Sequence, residues 1–181
     1  MSPELIPFGE EKDRIVAYVK FANRAILKAK EDLKGEYIEW CIIETFYAMI
    51  HVANAFLAII GKTPEDHKER LDLLIANFGP RSRNTVKIPE KYIKALALTY
   101  MAGIRLHANY YPHIFFAQYT KERVERIVFA TEAYVHETKL ILKEACQKAK
   151  VEISDDELEI ERLKPKAPFN LEELRSNINI P

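Results

Sequence analysis

Along most of this chain, apolar side chains recur at the three- and four-residue spacing that makes one face of a helix. Ile15, Tyr18, Val19, Ala22, Ile26, Ala29 and Leu33 form one such stripe. It predicts a first helix from about Gly9 to Lys34, and Gly35 suits its end. A second helix is expected from about Glu36 to Ile60, with Gly61 after it. Thr63, Pro64, Glu65 and Asp66 follow. A capping hydroxyl, a proline for the first turn and acids at the positive end of the dipole start a third helix, which runs to Phe78 and Gly79. Pro80 to Ile88 reads as a loop. Pro89 opens a fourth helix, and Pro112 ends it because the residue before a proline is pushed out of the helical region. A fifth helix starts near Thr120 and reaches about Lys150, with Val124, Ile127, Val128, Thr131, Tyr134, Val135, Thr138, Ile141, Leu142 and Ala145 on its face. No β-alternation of useful length and no internal repeat interrupts this pattern. The expected fold is all-α: an up-and-down bundle of four or five helices over residues 1–150.

The chain changes character after Val151. Residues 151–161 hold six acids and no base, and Leu163 to Pro168 reads as an extended linker. Asn170 with Glu173 can cap one short terminal helix. Residues 151–181 are therefore expected as an acidic C-terminal appendage.

A length of 181 residues suits one domain with a sizeable core. The formal net charge is zero, so nothing steers the whole molecule toward nucleic acid or membrane. Any charged partner must be met by a local patch. Cys41 and Cys146 lie far apart and form no disulfide framework, which points to a reducing compartment. The first residues carry acids and no apolar signal core, so a cytoplasmic location is expected. Two glutamines against abundant Lys, Glu and Ile lean toward a thermophile. The second helix imitates a membrane span, since residues 41–61 carry one charge, Glu44. Its Glu44, Ala48, His51, Ala55 and Ala58 nevertheless segregate into a small or polar stripe opposite an apolar one. A lipid-facing helix has little reason to do this, so no membrane span is expected.

The candidate chemistry centres on Arg105, the one formal charge between Ala95 and Thr120. A guanidinium in so apolar a stretch is costly unless it is paired, hydrogen-bonded or facing a wet cleft. Two readings stay open. Arg105 is either a staple for helix-end carbonyls or for a carboxylate such as Glu44, or a fork for phosphate. Asn109 sits one turn on and can orient the guanidinium or a ligand. Tyr110 and Tyr111 either pack in the core or stack on a base. Arg81, Arg83, Lys87, Lys91 and Lys94 against Glu90 make a basic stretch just before the Arg105 helix. It is either a solvated loop or a phosphate track, and the acidic tail could lie on it. His51 reads as a satisfied interior histidine, and His67 and His136 as surface residues. No Glu-x-x-His, His-Glu-x-x-His or Cys/His cluster is present, and no glycine-rich phosphate loop, so neither metal nor cofactor is expected.

Three segments together carry a resemblance. The second helix, from Glu44 through Ala48, Met49, His51, Ala53 and Leu57 to Gly61, resembles the second helix of HEPN domains (higher eukaryote and prokaryote nucleotide-binding). The Ala- and Lys-rich end of the first helix, Ala25 to Lys30, is followed by Gly35 as in that family. Arg105-Leu106-His107-Ala108-Asn109-Tyr110 looks like the Arg-x-x-Ala-Asp-Tyr form of one branch. The resemblance covers residues 10–145. It implies a helical bundle, often a homodimer, that acts either as a metal-independent ribonuclease or as a nucleotide- or RNA-binding module. It also implies, for several members, a small nucleotidyltransferase partner in a toxin–antitoxin pair. The nuclease form pairs its arginine with a histidine about one turn further on. Here Tyr110 stands at that place, His107 comes too early, and His113 lies beyond Pro112. Tyrosine is a poor general base at neutral pH. The resemblance therefore implies a non-catalytic or weakly catalytic binding module using Arg105, Asn109 and Tyr110, with Arg81, Arg83 and Lys87 as the adjoining track. The alternatives are a ribonuclease using Arg105 with Tyr110 or His113, and a structural helical protein in which Arg105 is a staple.

Overall fold

The structure is a computed structural model that describes residues 11–101, 108 and 110–178. Helices α1 (Glu11–Lys34) and α2 (Ile38–Ile59) pack along each other as an antiparallel hairpin. The turn between them puts Glu36, rather than Gly35, in the left-handed region at φ 66°. α2 ends on Gly61, also at φ 66°. There the Lys62 N–H donates to the Leu57 carbonyl at 2.9 Å and the Gly61 N–H to that of Ala58 at 3.0 Å, so the left-handed glycine satisfies carbonyls the helix would leave open.

α3 (His67–Phe78) is capped by Asp66 and not by Thr63. The Asp66 carboxylate accepts from the Glu69 N–H at 2.8 Å, and the Glu69 carboxylate accepts from the Glu65 N–H at 2.6 Å. Thr63 Oγ1 instead accepts from Arg14 at 2.6 Å. Asp66→Ala is expected to cost about 1 kcal/mol of stability, read as a lower midpoint in urea with an unchanged slope.

α4 spans Glu90–Met101. Ala108 and Tyr110 are helical and Tyr111 is not, so a helix does stop just before Pro112. Pro112 also opens the next one, α5 (Pro112–Gln118), from its first position, where its missing N–H costs nothing. α6 (Lys121–Lys148) starts on Thr120, whose hydroxyl accepts from the Arg123 N–H. A single 3-10 turn (Ile160–Arg162) and α7 (Leu171–Ile178) complete the order. Among the described residues there is no strand, and the molecule is an all-α bundle with a short C-terminal part.

α2 runs through the centre and meets α1, α3, α4 and α6. It is long and apolar enough to cross a membrane, yet most of it is buried among those neighbours. Lys30 pairs with Glu132, and seven residues back on α1 Asn23 meets Lys139, seven residues on along α6. α1 and α6 are therefore antiparallel.

The C-terminal segment is stitched into this body. Leu158, Ile160, Leu163, Phe169, Leu174 and Ile178 are all buried. Phe169 lies against Tyr92 and Tyr134 at 5.4 and 5.5 Å between ring centroids. Its N–H donates to Glu137 at 2.6 Å, and Tyr92 and Lys91 donate to the same carboxylate. Burial pushes the Glu137 carboxyl up, but these three donors outweigh it and hold it below the usual carboxylate range. The acids of residues 152–161 do not lie on the basic stretch before α4. Glu157 pairs with Lys12, Asp155 with Lys143, and Glu159 accepts from Asn23 at 2.8 Å. They face α1 and α6 because that is where unmatched lysines stand.

Candidate functional site

Arg105, His107 and Asn109 lie outside the described residues. The residues on either side of them are described. Tyr100 and Met101 end α4 with 44% and 80% of their surfaces exposed, and Tyr110 and Tyr111 are 68% and 50% exposed. Phe116 on α5 is exposed too. Among its described residues, the stretch from Ala95 to Thr120 is thus not mostly buried: Tyr119 and Phe115 enter the core while these rings keep much of their surface outside. The core is already filled by α2 and its neighbours. His113 stands exposed in the first turn of α5.

The basic stretch is partly used up. Lys87 donates to the carbonyls of Pro80 at 3.0 Å and Ser82 at 2.6 Å and so pins the loop. Lys91 is bound to Glu137, and Lys94 pairs with Glu90. Arg81 and Arg83 are exposed, and Arg81 with Lys94 edges a shallow cleft between α3 and α4 over Leu71, Ile75 and Ile93.

A different arginine is buried. Arg70, in α3, is 9% exposed. Its Nε donates to Asn54 Oδ1 at 2.7 Å, and one terminal nitrogen donates to His67 Nδ1 at 2.7 Å and more weakly to the Asp66 carbonyl at 3.4 Å. A guanidinium cannot accept, so His67 accepts at Nδ1 and carries its proton on Nε2. Among the described residues no carboxylate comes within ion-pair distance of Arg70. The nearest acids, Asp66 and Glu69, spend their oxygens on the cap of α3. Burial pulls the Arg70 guanidinium below its ordinary value, against the opposing pull of Tyr18, Asp66 and Glu69.

His51 stands half-buried beside this group. Burial, and then the charge of Arg70, hold its imidazole below the ordinary value. Its Nδ1 is buried without a hydrogen-bond partner, so it is not the satisfied interior histidine expected from the sequence. It does not meet Glu44 either: its ring neighbours are Phe21 at 5.4 Å, Tyr18 at 6.2 Å and Tyr47 at 6.3 Å. Glu44 faces Asp32 and Lys28, and burial first and Asp32 second push its carboxyl up. His67 is half-buried rather than at the surface, with Phe46 at 5.2 Å and Tyr100 at 5.5 Å between ring centroids. A band of rings thus crosses α1, α2, α3 and α4 with Arg70 beneath it.

Sequence reasoning missed Arg70, His67 and Asn54. The signal was two polar pairs at three-residue spacing, His51 with Asn54 and His67 with Arg70, on consecutive helices. Each pair alone reads as ordinary surface polarity. Among the described residues no three His, Cys, Asp or Glu side chains converge as a metal site would require. Comparison of the chain with protein-family models, with curated proteins and with solved structures gave no match.

Proposed function

We propose that this helical bundle is a HEPN-like module that binds a nucleotide or RNA through the Arg105 segment, without catalysis or with only weak catalysis. The observation that carries the reading is the exposure of Tyr100, Tyr110 and Tyr111 on the two sides of that segment. A tyrosine packed for stability buries its ring and satisfies its hydroxyl. Rings left at the surface beside an arginine offer faces for bases next to a fork for phosphate. Arg81 and Arg83 add exposed positive charge to the loop before α4. A homodimer and a small nucleotidyltransferase partner belong to the same reading, because exposed rings such as Tyr110 and Phe116 also suit a protein neighbour.

The test is fluorescence anisotropy with a labelled single-stranded RNA in EDTA. Wild type is expected to bind and leave the RNA intact. Tyr110→Ala should weaken binding by about tenfold, within the range for loss of one stacked base. Arg105→Ala should weaken it at least as much, and both variants should melt within a few degrees of wild type. Cleavage in EDTA that is lost in Arg105→Ala would replace this reading with the ribonuclease. No binding by wild type, with a large fall in melting temperature for Arg105→Ala, would leave Arg105 as a staple.

A further inference from the structure

The geometry points to a second anion site, built on Arg70 and suited to one phosphoryl group. It shares Tyr100 with the proposed nucleotide or RNA surface, but it rests on Arg70 and does not need the Arg105 segment.

Charge gives the first reason. A guanidinium that is nine-tenths buried is normally matched by a carboxylate, because desolvating it alone is expensive. Here the partners are neutral: an amide oxygen, a ring nitrogen and a backbone carbonyl. Both acids within reach in sequence are committed to helix capping. Asn54 and His67 hold the fork at two of its nitrogens and fix its plane, so little freedom remains to be lost when a ligand binds. The other terminal nitrogen donates to nothing among the described residues.

The surroundings fit the same guest. A narrow surface notch between α2, α3 and α4 reaches Arg70 past His67, Phe46 and Tyr100. Its base has room for about one water-sized oxygen, so one phosphoryl oxygen would enter it while the rest of the group stays at the mouth. His51 Nδ1 is a second polar atom left buried and unpaired close to the same charge. His51 does not line the notch, so it would sense a phosphoryl group through Arg70, while a phosphoryl oxygen would give Arg70 itself the anionic acceptor it lacks. At the mouth, Tyr100 is half open to solvent and in ring contact with His67. That ring offers a face for the organic part of a nucleotide. The shared chemistry is thus a phosphoryl group, carried either by free phosphate or by a mononucleotide.

The experiment is a titration of the full-length protein followed by NMR of arginine Nε–H and histidine ring signals at constant ionic strength. Inorganic phosphate is expected to shift the signals of Arg70, His51 and His67 together and saturably, with a dissociation constant of about 1 mM or lower. Arg70→Met should weaken this at least about tenfold, and Arg70→Lys should fall between, since a point charge replaces a fork. AMP binding more tightly than phosphate, with added shifts at Tyr100, assigns the group to a nucleotide. AMP and phosphate binding equally assign it to free phosphate. The proposal is overturned by shifts that stay linear and are shared with exposed arginines, or by adenosine binding as well as AMP. If Arg70→Met does not fold, the wild-type titration still decides. RNA binding lost in Arg105→Ala with the phosphate shifts intact would keep the two sites apart. RNA binding without any phosphate shift would sink this site and spare the proposed function.

Discussion

A chain ending at Val151 is expected to lose cooperative thermal unfolding. The segment it lacks buries six apolar side chains, Leu158, Ile160, Leu163, Phe169, Leu174 and Ile178. At about 1.5–3 kcal/mol each, the gross loss is on the order of 10 kcal/mol. Ordering that segment has an entropic cost that offsets part of this. The uncovered polar groups tip the balance. Glu137 would lose the Phe169 N–H, and Lys139 would lose the Glu159 carbonyl while its ammonium stays against the core. Glu137 keeps Tyr92 and Lys91, and Lys139 keeps Asn23, so each loses one charge-assisted hydrogen bond, at about 1–3 kcal/mol. Whole-domain stabilities are only about 5–15 kcal/mol. A milder change reads the same contact. Phe169→Ala should cost about 3–5 kcal/mol, as for other fully packed phenylalanines, measured by chemical denaturation. A 1–151 chain that melts sharply within a few degrees of the full protein would show that the bundle stands without its strap.

Between pH 8 and 9, loss of the proton from Lys139 is expected to contribute about 1 kcal/mol of added stability. The cause is Lys139, which is fully buried on α6. Its Nζ donates to Glu159 O at 2.6 Å and Asn23 Oδ1 at 3.0 Å. Burial pulls its ammonium from 10.5 down to about 8, against the pull of Glu159 and Glu161. A base with a depressed folded pKa releases its proton in the folded state first. From pH 8 upward this lysine therefore binds more proton in the unfolded chain than in the folded one, and its contribution to stability rises with pH. A tenfold weaker hold on the proton corresponds to about 1.4 kcal/mol, so the full effect approaches about 3 kcal/mol. It is not all visible. Burial raises Cys41 to about 12 and Cys146 to about 11, so the unfolded thiols, with an ordinary value of about 8.5, already ionise first between pH 8 and 9 and offset about 1 kcal/mol.

Lys139→Met should therefore lower the slope between pH 8 and 9 by about 1 kcal/mol per pH unit relative to wild type. Its effect on the absolute level is small by comparison. Relief of the buried charge, about 3 kcal/mol, is set against two acceptors left unpaired at about 1–3 kcal/mol each. The slope is therefore the readout: urea titrations at about pH 7.5, 8.0, 8.5 and 9.0 give it directly. Equal slopes for wild type and Lys139→Met over that range would mean the ammonium is better solvated than its burial implies.

Glu159 shows why this corner of the molecule could not be read from its residues. It sits at φ 46°, an uncommon and strained place for a side-chain-bearing residue. Its carboxylate accepts from Asn23 and its carbonyl from Lys139. Nothing local in the acidic run announces either bond, since both partners come from helices laid down much earlier in the chain. The same holds for Arg70. Its position in a short amphipathic helix resembles that of any surface arginine until α2 brings Asn54 up to it.

The helices were legible because helix formation depends on neighbours three and four positions apart. The stripe from Ile15 to Leu33, the glycine after α2 and the hydroxyl at Thr120 carry their own physical reasons, and the bundle follows from them. Two local choices went the other way for equally local causes. Asp66 competes better than Thr63 for the free N–H groups of α3, and Pro112, besides following a helix that stops at Tyr110, opens α5, where the pattern predicts no helix before Thr120. Tertiary structure alone decided which apolar side chains found cover and which charges found partners. Whether Tyr110 is inside or outside, and whether Arg70 or Lys139 meets a carboxylate, depends on which helix arrives beside it. Packing is a relation between distant segments, and periodicity along one segment does not encode it.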